Sequence, residues 1–286
     1  LDTNQDGYDD LLYSSDTGGR IWRIDLKHGT TKMTASGGLI ADMNKGGSNN
    51  VRFYNTIDLA YMYDQKSNIS PRFQLSIGSG YRAHPLDKRG VNRFYVINDY
   101  NVTTKPTAGN EQSFYSTVYQ SDLTDLDNSS ATSASSTPKG YFMTLSGNGE
   151  KVLAPSTTAA GTIFFTTYRP DDGSFTANCA PNVGLAKLYQ IKSDGTTSFI
   201  DLGQTGIPPQ PILLYPPKKG ATEDDETGSG DNSDGDGDGG GDGGDGGDGG
   251  DDPCNGTSPV IAVGAEVVDS GITNCGQIKK TYWKLN

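Results

Sequence analysis

The chain has 286 residues, 33% of them apolar and 39 of them glycine, so its core is thin and repetitive or its loops are long; no apolar run of about 18 residues is present to cross a membrane as a helix. The net charge of -12 is concentrated in residues 223–252, which carry thirteen acidic and no basic side chains. Elsewhere 22 acidic residues stand against 23 basic ones, and a body so close to neutral has no basic footprint for a nucleic-acid partner.

The first element is Asp2-Thr3-Asn4-Gln5-Asp6-Gly7-Tyr8-Asp9-Asp10, followed by the apolar pair Leu11-Leu12. Side-chain oxygens fall at loop positions 1, 3, 5 and 9, as Asp2, Asn4, Asp6 and Asp10. Gly7 stands at position 6, where such a loop bends sharply. Tyr8, at position 7, offers its backbone carbonyl. This is the front of an EF-hand-type calcium loop, in which hard oxygen ligands converge on a hard cation. It runs into a strand, with no helix and no twelfth-position Glu behind it. The predicted ligands of Ca2+ are Asp2, Asn4, Asp6, the carbonyl of Tyr8, and Asp10. The competing reading is an acidic Asx-turn loop that merely precedes a strand.

Short strands follow. Residues 11–15 lead through the turn Asp16-Thr17-Gly18-Gly19 to 20–26, where basic or polar residues alternate with apolar ones as in a half-buried strand. The same hairpin recurs as 73–80 answered by 92–99, as 161–168 answered by 187–191, and as 260–264 answered by 279–285. The second strands carry Trp22, Tyr95, Tyr189 and Trp283, spaced by 73, 94 and 94 residues, a repeat with variable insertions. Further strands are expected at 56–62 before the second hairpin, at 140–145 and 151–154 before the third, and at 211–215 before the fourth. Four units of three or four short strands with little helix predict an all-β fold, a partial β-propeller of about four blades of a larger ring with long loop insertions. A β-sandwich is the rival architecture.

Residues 1–219 are read as propeller blades with a Ser/Thr/Asn-rich insertion at 101–139, 220–253 as a Gly/Asp-rich low-complexity insertion, and 254–286 as the last hairpin. Within the first insertion, Asp122, Asp125 and Asp127 have the wrong spacing for a calcium loop, and the leucines between them look like packing residues, so 122–127 is read as a surface excursion. Residues 220–253 are too polar to offset the entropy of ordering. Asp234, Asp236, Asp238 and Asp242 match the calcium template there only because Asp and Gly alternate. Cys179, Cys254 and Cys275 form no CxxC pair. A disulfide between Cys254 and Cys275 would close about 20 residues and add roughly 3 kcal/mol, as suits an exported protein; Cys179 could pair instead with either, or with chain not present, and the connectivity stays open.

Catalytic patterns are missing. His28 and His84 lie in loops, no serine sits in a nucleophile elbow, and no cysteine has a neighbouring histidine. Gly78-Ser79-Gly80 is not followed by the helix that a phosphate loop needs. The chain is therefore not expected to be an enzyme. A quinoprotein-type propeller dehydrogenase would need a vicinal cysteine pair or a central Asp beside a cofactor pocket, and neither is visible.

The calcium loop, the apolar strand behind it and Asp16-Thr17-Gly18-Gly19-Arg20-Ile21-Trp22-Arg23 together resemble the C-terminal β-propeller of the PilC/PilY family of type IV pilus tip adhesins. Residues 92–97, 161–167 and 281–285 are similar to that family's later blades. The resemblance implies an extracellular, cell-surface protein exported through the periplasm to the pilus tip. There it would support pilus biogenesis, twitching motility and surface adhesion, with a calcium loop controlling the balance of extension and retraction. Its implied partners are minor pilins of the tip complex and a host or abiotic surface. The family's large N-terminal half is absent, and no Arg-Gly-Asp motif is present, so host-receptor binding is not implied. Four units fall short of the family's seven-bladed ring, and upstream chain is expected to complete it. The alternative is a structural subunit of an extracellular filament or sheath.

Overall fold

The computed structural model describes residues 1–45, 50–64, 69–107, 109–127, 139–170, 184–215 and 259–272. In chain order these form β1 (Leu11–Ser15), β2 (Arg20–His28), β3 (Met33–Asp42), β4 (Asp58–Asp64), β5 (Ile69–Gly78) and β6 (Arg93–Asp99). A single helical turn, α1 (Glu111–Phe114), precedes the two-residue strands β7 (Val118–Tyr119) and β8 (Thr124–Asp125). Then come β9 (Gly140–Thr144), β10 (Thr157–Ala159), β11 (Thr162–Arg169), β12 (Leu185–Ile191), β13 (Thr197–Thr205), β14 (Ile212–Leu214), β15 (Val260–Val263) and β16 (Glu266–Asp269). The protein is all-β, and these strands make four separate sheets.

The sheets follow one another along the chain. The first is ordered β1-β2-β3-β7, the second β4-β5-β6-β9-β8, the third β10-β11-β12-β13 and the fourth β14-β15-β16. Neighbouring long strands are antiparallel throughout, so each sheet is a meander whose connections range from tight turns to long insertions. No closed ring of sheets forms among the described residues.

Period-two alternation on the strands sends side chains into two different cores. On β6, Tyr95 and Ile97 join a cluster with Ile21, Ile40 and Ala41 of the first sheet, whereas Phe94 and Val96 join a cluster with Ile163, Phe165, Tyr189 and Ile191 of the third. On β11 and β12, Phe164, Ala186 and Leu188 face Ile261 and Val263 of the fourth sheet. The central strands of the second and third sheets, β6 and β11, are thus buried on both faces, which explains their nearly unbroken apolar runs. Phe94 stacks on Phe165 at 3.8 Å, and Phe165 on Tyr189 at 5.1 Å, a column of rings that joins second and third sheets.

The first turn is fixed by one carboxylate. Asp16 Oδ1 accepts the backbone N–H of Gly18 at 2.8 Å, and Oδ2 accepts Arg20 Nε at 2.9 Å and Trp22 Nε1 at 3.1 Å. The hairpins 11–26, 73–99 and 161–191 form as expected, with β1 on β2, β5 on β6 and β11 on β12. The strands expected at 56–62 and 211–215 appear as β4 and β14, each beside the hairpin it was assigned to.

Three expectations are corrected. Residues 140–145 do not precede the third hairpin: β9 pairs with β6 in the second sheet, Arg93 opposite Thr144, and Tyr141 and Met143 thereby reach the core facing the third sheet. Residues 151–154 form only a bridge from Lys151 to Tyr168. The partner of β15 is β16, through a two-residue turn at Gly264, whose φ of 61° suits glycine. A turn this short closes with less entropy than the remote pairing expected with 279–285. Residues 279–285, 220–253 and all three cysteines lie outside the described residues.

Candidate metal loop and its anchoring

Residues 2–8 wind around their own side-chain oxygens. Asp2 accepts the N–H of Gln5 through Oδ1 at 2.7 Å and that of Gly7 through Oδ2 at 2.8 Å. Asn4 Oδ1 accepts Asp6 N–H at 2.9 Å, and Asp6 Oδ1 accepts Tyr8 N–H at 2.9 Å. Gln5 and Gly7 take φ of 63° and 89°, the left-handed bends that let successive N–H groups turn inward. A Cβ on Gly7 would meet nothing within 4 Å, so glycine is needed there for conformation rather than for space. The Tyr8 ring is exposed and lies 5.0 Å from the His28 ring, and His28 Nε2 is 2.9 Å from the carbonyl of Asp9.

Asp10 is placed differently. It is buried at the base of the loop, 2% exposed, where β1 begins. Its Oδ2 accepts the N–H and hydroxyl of Thr3 at 3.0 and 2.8 Å, and its Oδ1 accepts Lys105 Nζ, which also donates to the carbonyl of Leu26 at 3.1 Å. Burial raises the carboxyl's pKa, but the hydrogen bonds from Lys105 and Thr3 outweigh it and hold the group at about 2.

The five predicted ligand residues therefore divide. Asp2, Asn4, Asp6 and Tyr8 share one exposed loop, while Asp10 already carries a cation, the Lys105 ammonium. Among the described residues, no group of three or more His, Cys, Asp or Glu is gathered on one point. The donor set still fits a hard ion, since every member presents oxygen and the loop has the bend at position 6.

Beside the loop, a buried ionic cluster anchors the first insertion. Arg23 is 2% exposed and binds Asp25 twice, Nε to Oδ2 at 3.0 Å and Nη2 to Oδ1 at 2.7 Å. Its Nη1 reaches Asp99 of β6 and the carbonyl of Asn101, both at 2.7 Å. Tyr13 donates to Asp99 at 2.7 Å, and Tyr115 to Asp25 at 2.9 Å. Burial and the Asp99 charge push the Tyr13 hydroxyl's pKa up, so it stays a donor. Gly38 makes room for the insertion, because a Cβ there would come within 2.3 Å of the Tyr115 ring.

The Arg23–Asp25 pair had a visible signal, because strand residues two apart share a face. Lys105 had none: it lies 95 residues from Asp10, in a polar insertion without periodicity.

Comparison with protein-family models, with curated proteins and with solved structures finds no match for this chain. No helix among the described residues is long and apolar enough to cross a membrane.

Proposed function

We propose that this chain is a calcium-binding β-propeller module of a type IV pilus tip protein of the PilC/PilY kind, exported to the cell surface. The observation that carries the reading is the loop at 2–10, with Asp2 accepting the N–H of Gly7, set directly before the first of four successive stacked sheets. The four sheets are read as consecutive propeller blades. The outward faces of the first and last support this: Leu12, Ile212, Leu214 and Val267 are apolar and 42–63% exposed, whereas the central strands β6 and β11 of the middle sheets are buried on both faces. Further sheets of the same ring would cover them.

Asp2, Asn4, Asp6, the carbonyl of Tyr8 and Asp10 would hold the ion, which supplies charge neutralisation to a loop of otherwise repelling carboxylates. The chain's own part is to pre-bend the loop through Gln5 and Gly7 and to fasten its base to β1 through Asp10. Calcium would thus order the edge of the first sheet, and the pilus role follows from the resemblance of the loop and the hairpin behind it. The module acts as a scaffold and binding element rather than as an enzyme, with minor pilins as its partners.

The test is a melting curve across calcium concentrations. Ligand binding to the folded state should raise the melting temperature with concentration, and Asp2→Ala or Asp6→Ala should abolish that rise. An unchanged response in both variants removes the site. Co-purification with minor pilins, lost when the loop is disabled, tests the pilus role separately.

A further inference from the structure

Residues 118–125 form a strap over two sheets. β7 pairs in parallel with the end of β3, Ala41 opposite Val118 and Asp42 opposite Tyr119. After a 3-10 turn at Gln120–Asp122, β8 pairs in parallel with β9, Thr124 opposite Tyr141 and Asp125 opposite Phe142. The surface excursion expected at 122–127 is thus a built element, and Leu123 and Leu126 pack on two different cores, as packing residues should.

Beside the strap opens a groove of about 570 Å3, within the size range of small-molecule sites. Its walls include Lys45, Tyr119, Gln120, Ser121, Asp125 and Phe142. Several are held in place. The buried Tyr95 donates its hydroxyl to Gln120 Oε1 at 2.8 Å, Asp125 Oδ1 caps the N–H of Asp127 at 3.0 Å, and Lys45 Nζ lies 3.7 Å from the Tyr119 ring centroid. The Arg93 guanidinium stands 5.6 Å from the Phe142 ring.

The lining narrows the ligand class. It has one carboxylate and no histidine or cysteine, which does not suit a metal. Among the described residues its lining holds no glycine-rich turn and no α-helix N-terminus for a phosphate. It mixes polar groups with Leu123 and the Tyr119 ring, an amphipathic wall rather than a uniformly apolar one. An amide, a hydroxyl, a carboxylate and an ammonium line the groove and supply both donors and acceptors, a combination that suits a polyhydroxylated ligand. Groups already fixed by the fold lose little freedom on binding.

We propose that this groove binds a saccharide ring. Tyr119 forms the wall for its C–H face, Gln120, Ser121 and Asp125 meet its hydroxyls, and Lys45 favours a sugar bearing a carboxylate. The proposal does not depend on calcium or on the pilus reading.

Saturation-transfer NMR and titration calorimetry with galactose, N-acetylglucosamine and N-acetylneuraminic acid test it, at sugar concentrations in the tens of millimolar. Binding of at least one sugar is expected, weakened about tenfold or more by Tyr119→Ala and by Asp125→Asn. Lys45→Gln should weaken N-acetylneuraminic acid alone; a Lys45-independent preference for the neutral sugars keeps the groove and assigns them as its ligands. No transfer from any of the three overturns the proposal, and so does binding that Asp125→Asn and Tyr119→Ala leave unchanged. Should Tyr119→Ala lower the melting temperature, Asp125→Asn and Tyr119→Phe decide, Tyr119→Phe retaining the ring wall and the affinity.

Discussion

Replacing Arg23 by methionine removes one guanidinium and leaves two carboxylates facing each other without a cation. The side chain is buried between the first and second sheets, and its partners are Asp25 on its own strand, Asp99 on β6 and two carbonyls of the insertion, those of Asn101 and Thr104. Burial alone would lower the guanidinium's pKa; the Asp25 hydrogen bonds and the Asp99 charge reverse that, so the Arg23 charge depends on these partners. Breaking a buried pair from one side costs about 3–5 kcal/mol, because the remaining charge has lost its partner. For a chain of this size that is a fall in melting temperature of roughly 6–20 °C. Differential scanning calorimetry at neutral pH measures it, and the double variant Arg23→Met with Asp99→Asn should recover part of the loss. Limited proteolysis adds a local readout, because cutting at 101–107 should speed up before global unfolding does. A loss below about 1 kcal/mol, the range of exposed ion pairs, would refute the argument that this cluster clamps the two sheets.

Three other outcomes are expected. Lys105→Met should strengthen calcium binding in calorimetry, because it clears the ammonium from Asp10, and should do so without creating any new ligand; weaker binding would mean that Lys105 organises the loop instead. Lys151 is 1% exposed and donates to the carbonyls of Pro85 and Asp87 at 2.5 and 2.6 Å, and burial, opposed by Asp87, lowers its pKa from 10.5 to about 8. The folded protein therefore releases this proton before the unfolded chain does, so stability gains a rising contribution between about pH 8 and 10.5; denaturant titrations should show that the rise is missing in Lys151→Met. Gly38→Val should displace Tyr115 from β3 and cost about 1–3 kcal/mol, the range for overpacking, whereas Gly7→Ala should cost only about 1 kcal/mol through its backbone.

Elements whose residues alternate and whose turns are acidic or glycine-rich could be read directly. The hairpin built on Arg20-Ile21-Trp22-Arg23 is of that kind, and Phe94-Tyr95-Val96-Ile97 was legible instead as an unbroken aromatic and β-branched run. β13 could not be read, because of its nine residues only Leu202 is buried and its pairing to β12 makes it a strand. β3 was equally silent: Ala35-Ser36-Gly37-Gly38 has weak strand propensity, and the small residues there exist to receive an aromatic ring from 77 positions further on. At the loop, the order of oxygens was legible because ligand spacing is local. The partner of Asp10 was not, since a lysine supplied from an insertion leaves no periodic trace.

The strap at 118–125 belongs to the hydrogen-bond ladders of two sheets at once. Peeling it from β3 also pulls at β9, so the first and second sheets should lose their slowly exchanging amides together, as one cooperative unit. Among the described residues, the third and fourth sheets share no such strand. They meet through a side-chain core and the acceptance by Glu266 of the N–H groups of Gly203 and Gln204. Opening should therefore begin at β14–β16 and stop at the strap, which gives the molecule a labile end and a durable one.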